Sequence, residues 1–359
     1  MGRRRCPPLP ARTRRLPRVH RRPPRPPRQP DQPQARPPEK RRPRPSVPGE
    51  NSGTRHPPTG KESAMNLARF PCLALTLLLL FAGCGRSDRT NAPPPPIARQ
   101  LQFGEHEVHY EIYGRGARTL VFIHGWTGNL EVWKHQLGAF PGYRCIGVDL
   151  PGNGRSSRVE GAAYTPELFA NAVRAVLDAE HIDRAILFGH SMGFAVTEVF
   201  AALYPQRCLG IGAIDGAHFE VADEPGGPEK FRQEIAGFAG GMTNEAAREA
   251  FIRMLFLPDT PSALKDEILS ASRTVPLSIG QAMIAGVGTD WKYFLPRTVH
   301  LPCLAVYSPA YGLPPTYRDD FARIFPQVEY HDVPGVSHFF MLEIPDRLNS
   351  LIAAFIEKL

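Results

Sequence analysis

From residue 100 onward, short solid apolar runs alternate with longer stretches whose apolar residues recur every three or four positions. Gln100 to Tyr113 alternates around Gly104, which predicts an opening hairpin of Leu101–Phe103 with Val108–Tyr113. Apolar runs at Thr119–Ile123, Arg144–Leu150, Ala185–Phe188, Gly210–Ile214 and Leu304–Tyr307, and an alternating one at Val328–Val333, predict six further strands. Helical spacing marks Leu130–Leu137, Pro166–Glu180, Met192–Tyr204, Thr316–Ile324 and Ile344–Ile356. In the second of these, Leu168, Phe169, Ala172, Val173, Val176 and Leu177 form one stripe, with Thr165 as N-cap and Pro166 in the first turn. Strands that are apolar throughout must be covered on both faces. The pattern therefore predicts an α/β fold: a mostly parallel eight-stranded sheet flanked by helices. Residues 216–301 are too long for a connection and carry three helical patterns (Lys230–Phe238, Asn244–Phe256, Ser262–Arg273), so they read as a cap inserted after the sixth strand.

Charge changes the picture only at the N-terminus. The formal net charge of +8, read alone, points to a polyanion-binding protein. Residues 1–64, however, hold 18 Lys+Arg against four acidic residues and 17 of the 39 prolines, which leaves the rest of the chain at −6. So basic and proline-rich a segment cannot bury enough surface to offset chain entropy, and is expected to be disordered. After Met65 come Asn66 to Arg69, a nearly unbroken apolar stretch from Phe70 to Phe81, then Ala82, Gly83 and Cys84. That is the grammar of a secretory signal peptide, and the run is shorter than the ~20 residues of a spanning helix.

Leu80-Phe81-Ala82-Gly83-Cys84 resembles the lipobox of bacterial lipoproteins, with Phe81 the less common choice at its position. In that family the cysteine is lipid-modified and becomes the new N-terminus. The resemblance implies a start at Met65, with 1–64 as misassigned upstream sequence and 65–83 as signal peptide. Residues 84–99 become a lipid-anchored linker, partly polyproline through Pro93–Pro96, and the mature protein sits in the cell envelope, facing the periplasm or exterior, with Cys84 in the membrane. The competing reading keeps 1–64 as a basic tail for nucleic acid; it depends wholly on that segment, and no nucleic-acid partner is expected without it. Cys145, Cys208 and Cys303 read as buried small hydrophobes, with a Cys208–Cys303 disulfide as the alternative if their strands are neighbours.

The chemistry centres on Gly189-His190-Ser191-Met192-Gly193, between a buried strand and an apolar helix. A serine on such a strand-to-helix turn is exposed and pre-aimed, provided that the residues two before and two after it have almost no side chain. An acyl-transfer serine also needs a base, an orienter for that base and an oxyanion hole. His338, in Gly335-Val336-Ser337-His338-Phe339 after the last strand, is the base expected from its place. His190 reads as a packing or pocket residue, and His331 as exposed on the last strand. The oxyanion donors expected are the backbone N–H groups of Met192 and Trp126, the latter from His124-Gly125-Trp126-Thr127-Gly128. Trp126 doubles as a candidate pocket wall.

These pieces, with Asp149-Leu150-Pro151-Gly152-Asn153-Gly154-Arg155-Ser156, resemble the α/β hydrolases over residues 101–359. The resemblance implies a structural turn around Asp149. It also implies a serine enzyme: dehalogenases and epoxide hydrolases of that superfamily would have aspartate at position 191. Most relatives carry the acid after the seventh strand, but here that place reads Tyr307-Ser308-Pro309-Ala310-Tyr311-Gly312, without a carboxylate. Asp319 and Asp320 fall in a predicted helix as a solvated face. Asp215, ending the sixth strand, is the expected orienter of His338, with a purely structural role as the alternative. Glu343 reads as a residue at a helix N-terminus, favoured by the dipole.

The expected function is cleavage of carboxylic esters, with an apolar acyl or alcohol group, through an acyl-enzyme on Ser191. No cofactor is called for, and no metal-ligand spacing occurs. Competing readings are C–C bond hydrolysis, perhydrolysis or acyl transfer by the same residues, and a non-catalytic binding protein on a degenerate hydrolase fold. For the N-terminus the expected outcome is that mass spectrometry of the mature protein finds acylated Cys84 as its first residue. Peptides from residues 1–64 would overturn that assignment.

Overall fold

The computed structural model describes residues 95–311 and 317–359. The upstream segment 1–64, the signal segment 65–83, Cys84 and most of the linker lie outside the described residues. Eight strands form one sheet: β1 (Ile97–Phe103), β2 (His106–Tyr113), β3 (Arg118–Ile123), β4 (Tyr143–Val148), β5 (Ala185–His190), β6 (Cys208–Ile214), β7 (Cys303–Tyr307) and β8 (Val328–Asp332). Their spatial order is β1-β2-β4-β3-β5-β6-β7-β8. The β1–β2 and β2–β4 pairs are antiparallel and the rest parallel. β1 starts three residues earlier than the alternation from Gln100 indicated.

The solid apolar strands serve two cores, one on each face of the sheet. Along β3, Val121 and Ile123 enter one core while Leu120 and Phe122 enter the other. On the first face lie α1 (Pro166–Ala179), with Thr165 capping Leu168 N–H at 3.1 Å, and α2 (Met192–Leu203). The expected helix at 130–137 is instead a 3-10 turn, Leu130–Trp133, followed by irregular turns. The tighter winding eclipses residues three apart, so Leu130 and Trp133 both reach the second core.

Between β6 and β7 stand four cap helices: α3 (Gly227–Gly241), α4 (Glu245–Met254), α5 (Ser262–Arg273) and α6 (Leu277–Thr289). The last was not anticipated, because its interior glycines weaken helix propensity. Packing overrides propensity: a Cβ on Gly286 would stand 2.0 Å from the Tyr164 carbonyl oxygen, so only glycine allows this approach. After β7 come α7 (Tyr317–Ile324), a one-turn helix α8 (Phe340–Glu343) and α9 (Pro345–Ile356). No helix among the described residues is long and apolar enough to cross a membrane.

Cys145, Cys208 and Cys303 are free and buried, which corrects the disulfide alternative. Although β6 and β7 are neighbours, their register pairs Cys303 with Ile211. That leaves Cys208 three residues away, about 10 Å along the strand, beyond the Cα separation a disulfide spans. Burial raises all three thiols, Cys145 and Cys208 to about 12. Alkylation of the native protein is expected to leave these three unmodified, and alkylation after denaturation to modify all of them. Peptide mass spectrometry reads the difference, and native-state labelling of Cys208 or Cys303 would contradict the packing described.

Candidate active site

The turn at Ser191 is built from close backbone approaches. Ser191 has φ +52° and ψ −127°, a strained conformation for a residue with a side chain. A Cβ on Gly189 would lie 2.4 Å from the carbonyl carbon and oxygen of Gly193, and one on Gly193 would lie 2.5 Å from Ile123 O. Both glycines are required by backbone, which cannot move aside as a flexible side chain could. Ser191 N–H donates to Ile214 O (3.3 Å), and Ser191 O accepts from Ala217 N–H (2.8 Å) and Phe194 N–H (3.0 Å).

Asp215 directly follows the adjacent strand β6, also at positive φ (+43°). Its N–H donates to Val306 O (2.8 Å), while Tyr307 Oη donates to the next carbonyl, Gly216 O (2.9 Å). One carboxylate oxygen accepts Ser308 N–H (2.9 Å) and the other lies 2.5 Å from His338 Nδ1. Both side chains are almost buried. With Nδ1–H donating to the carboxylate, Nε2 is the basic nitrogen of that ring.

The structure thus places Ser191 and His338 on one pocket and Asp215 on His338. Sequence reasoning missed two supports. Ser308 holds Asp215 through its N–H and also donates its hydroxyl to Val336 O (2.7 Å). It occupies the strand end where a carboxylate had been sought. Glu343 lies in the first turn of the one-turn helix α8, as expected of a residue at a helix N-terminus, and also closes that helix before Pro345 starts α9. Its carboxylate accepts Ser337 N–H (2.8 Å) and Thr260 Oγ–H (3.1 Å). An acidic residue six positions from a loop N–H leaves no periodic signal.

His190 is buried against His338, ring centroids 4.5 Å apart, and its Nε2–H donates to His338 O (3.0 Å). Burial holds its pKa well below the usual histidine value, and His338 pushes the same way. Burial likewise lowers His124. Its tautomer is fixed, since Leu150 N–H donates to Nε2 (3.0 Å) and Nδ1–H therefore faces Gly125 O (2.8 Å). Asp149 accepts Leu130 N–H and Arg155 N–H, which is structural turn work. Asp319 and Asp320 are exposed on α7, and His331 is half-buried rather than exposed on edge strand β8.

Gly125 is pressed against the serine: a Cβ there would lie 2.9 Å from Ser191 Cβ. Its loop is tied to the cap twice, by Trp126 Nε1–H to Gly280 O (2.8 Å) and by the Thr127–Ser272 hydroxyl pair (2.8 Å). The pocket above has a free volume of about 40 Å³, room for two or three waters at about 15 Å³ each. Its walls are chiefly Trp126, Val132, Phe251, Ile252, Leu255 and Phe339, and among the described residues no Lys or Arg lines it. Among the described residues no cluster of three or more His, Cys, Asp or Glu could hold a metal ion.

Residues 118–282 match the family described as alpha/beta hydrolase fold. Over 285 residues the chain is 27% identical to the dihydrolipoyllysine-residue acetyltransferase component of the acetoin cleaving system of Pseudomonas putida, covering 77% of this chain and 73% of that protein. Over 148 residues it is 36% identical to a 2-hydroxy-6-oxononadienedioate/2-hydroxy-6-oxononatrienedioate hydrolase of Paraburkholderia phymatum, covering 40% of this chain and 49% of that one. Among solved structures, an epoxide hydrolase from Vigna radiata superposes with TM-score 0.62 at 18% identity, covering 74% of this chain and 98% of its own. An esterase from Thermogutta terrifontis gives 0.58 at 22%, covering 74% and 99%. At these identities the structures show the α/β-hydrolase fold.

The lowered pKa values of His190 and His124 carry a sign. Below the ordinary histidine value near 6.5 the unfolded chain binds protons that these folded residues refuse, so unfolding takes up protons and stability falls as pH drops. Above 6.5 their contribution is fully present. Melting temperatures are expected to fall on acidification below pH 6.5, less steeply for His190→Gln. An identical slope in that variant would show that His190 titrates normally in the fold.

Proposed function

We propose that this enzyme of the α/β-hydrolase family cleaves carboxylic esters through an acyl-enzyme on Ser191. The observation that carries the reading is Ser191 on a strained turn in the same pocket as His338, whose Nδ1 lies 2.5 Å from Asp215. Ser191 Oγ attacks the ester carbonyl carbon while Nε2 of His338 takes its proton. Asp215 holds the ring in the required tautomer and stabilises the imidazolium. The tetrahedral oxyanion is received by the N–H groups of Met192, at the start of α2, and Trp126; one such donor is worth about 3–4 kcal/mol. His338 then returns the proton to the leaving alcohol, and a water it deprotonates releases the acid. Neutral His190 adds no charge against the imidazolium.

Apolar walls and a small free volume support a short apolar acyl group such as acetyl or propionyl. A second reading, hydrolysis of a C–C bond by the same residues, draws on the Paraburkholderia relative. A dicarboxylate would ask for cationic partners, however, and among the described residues no Lys or Arg lines this pocket. Epoxide opening on the pattern of aspartate enzymes is disfavoured by serine at position 191. On the residues around Cys84 we further propose a lipid-anchored envelope enzyme.

A panel of p-nitrophenyl esters from acetate to laurate, with a 2-hydroxy-6-oxodienoate beside it, tests the reading. The expected outcome is turnover highest on the shortest esters, and labelling of Ser191 by a fluorophosphonate. Ser191→Ala and His338→Ala should lose about 10⁴-fold or more in kcat, and Asp215→Asn about 10⁴-fold. Near-full turnover by Asp215→Asn would remove that residue from the mechanism. Turnover of the dienoate alone would favour C–C cleavage.

A further inference from the structure

The loop carrying His338 hangs between β8 and α8, and its main chain is bonded to four other parts of the molecule. Val336 O accepts the hydroxyl of Ser308 (2.7 Å), and His338 O accepts Nε2–H of His190 (3.0 Å). The two intervening N–H groups point elsewhere: Ser337 N–H to Glu343 (2.8 Å) and His338 N–H to Leu255 O (3.1 Å). Leu255 follows cap helix α4 and, with Phe251 and Ile252, walls the pocket.

We propose that Glu343 is a positioning residue for His338, and that with Thr260 it clamps the loop of the base to the cap. The clamp rests on the serine-hydrolase reading for what His338 does, though not for where it lies. An ionised carboxylate accepts on two oxygens at once, and Glu343 uses both, one for Ser337 N–H and one for the Thr260 hydroxyl (3.1 Å). Thr260 Oγ accepts Leu257 N–H (3.1 Å), so its single proton is committed to Glu343. The chain of bonds runs from cap backbone at Leu257 through Thr260 and Glu343 to the residue before the base. Two residues earlier in the cap, Leu255 O takes the N–H of the base itself.

The wall that meets the substrate and the loop that aims the imidazole are therefore one mechanical unit. Substrate entering so small a pocket presses on α4, and the clamp makes the base follow that wall instead of losing register with it. Glu343 does not line the pocket, so its loss falls on the placement of His338 rather than on substrate contact. A misplacement near 1 Å costs about a hundredfold in rate.

The test compares wild type with Glu343→Ala, Glu343→Gln, Thr260→Val, Thr260→Ser and the Glu343→Ala/Thr260→Val double variant on a p-nitrophenyl ester. Glu343→Ala is expected to lose about 10- to 100-fold in kcat, with KM within about twofold. Glu343→Gln keeps one acceptor oxygen and should fall between, which guards against an alanine variant that simply misfolds. Thr260→Ser, which keeps the hydroxyl, should recover most of what Thr260→Val loses, and the double variant should be no worse than Glu343→Ala because both break one chain of bonds. Amide hydrogen exchange across 336–339 should quicken in Glu343→Ala and Thr260→Val. Wild-type kcat in Glu343→Ala, a loss carried by KM alone, additive losses in the double variant, or unchanged exchange would each overturn the clamp. If wild type is not labelled by a fluorophosphonate, the serine-hydrolase reading fails instead, and the exchange experiment decides the clamp by itself.

Discussion

Two strained turns at the ends of neighbouring strands brace each other, and the site depends on that bracing. Ser191 and Asp215 both sit at positive φ, a cost of about 1–3 kcal/mol each. Ser191 donates to Ile214 O and accepts from Ala217 N–H, so the segments on either side of Asp215 hold the serine and are held by it. Hydrogen bonds of about 1 kcal/mol do not offset such strain alone. The apolar packing of β5, β6 and α2 around them supplies the remainder, since all three are almost wholly buried. Parallel pairing of β5 with β6 is what places the two turns side by side.

Electrostatics then differentiates three neighbouring histidines. His124 and His190 are kept neutral by burial and act as fixed hydrogen-bonding wedges. His338 alone has a carboxylate partner within hydrogen-bond distance. Burial does not decide the matter by itself: His218 is largely but not wholly buried, and Glu198 3.0 Å away outweighs that desolvation and raises its pKa.

Most of the framework was legible because it is written in local pattern. Solid apolar runs, the Thr165-Pro166 start of α1 and the paired glycines around Ser191 each record a backbone requirement at a fixed spacing. Asp215 was reached by elimination after the strand-seven position offered no carboxylate, and the fold brings it to His338 across 123 residues. What stayed illegible depends on tertiary contact. Helix α6 exists against its glycine content because Gly286 must pass the Tyr164 carbonyl. The use made of Glu343 was missed because its two partners, the Ser337 N–H and the Thr260 hydroxyl, lie six residues back and in the cap. Ser308 had no periodic or motif signal at all.

The loop of Gly125 and Trp126 joins the region beneath the pocket to the cap: Gly125 is pressed against Ser191, while the Trp126 indole is hydrogen-bonded to Gly280 on α6. Such an insertion is often pictured as an interchangeable module that tunes substrate range over a constant catalytic base. Here the boundary between module and base runs through single residues. A cap of another outline would have to present again a carbonyl to the indole and a hydroxyl to Thr127. Changes of pocket shape that spare these bonds are therefore confined to the inner faces of α4 and α5, at positions such as Phe251, Ile252 and Ile268.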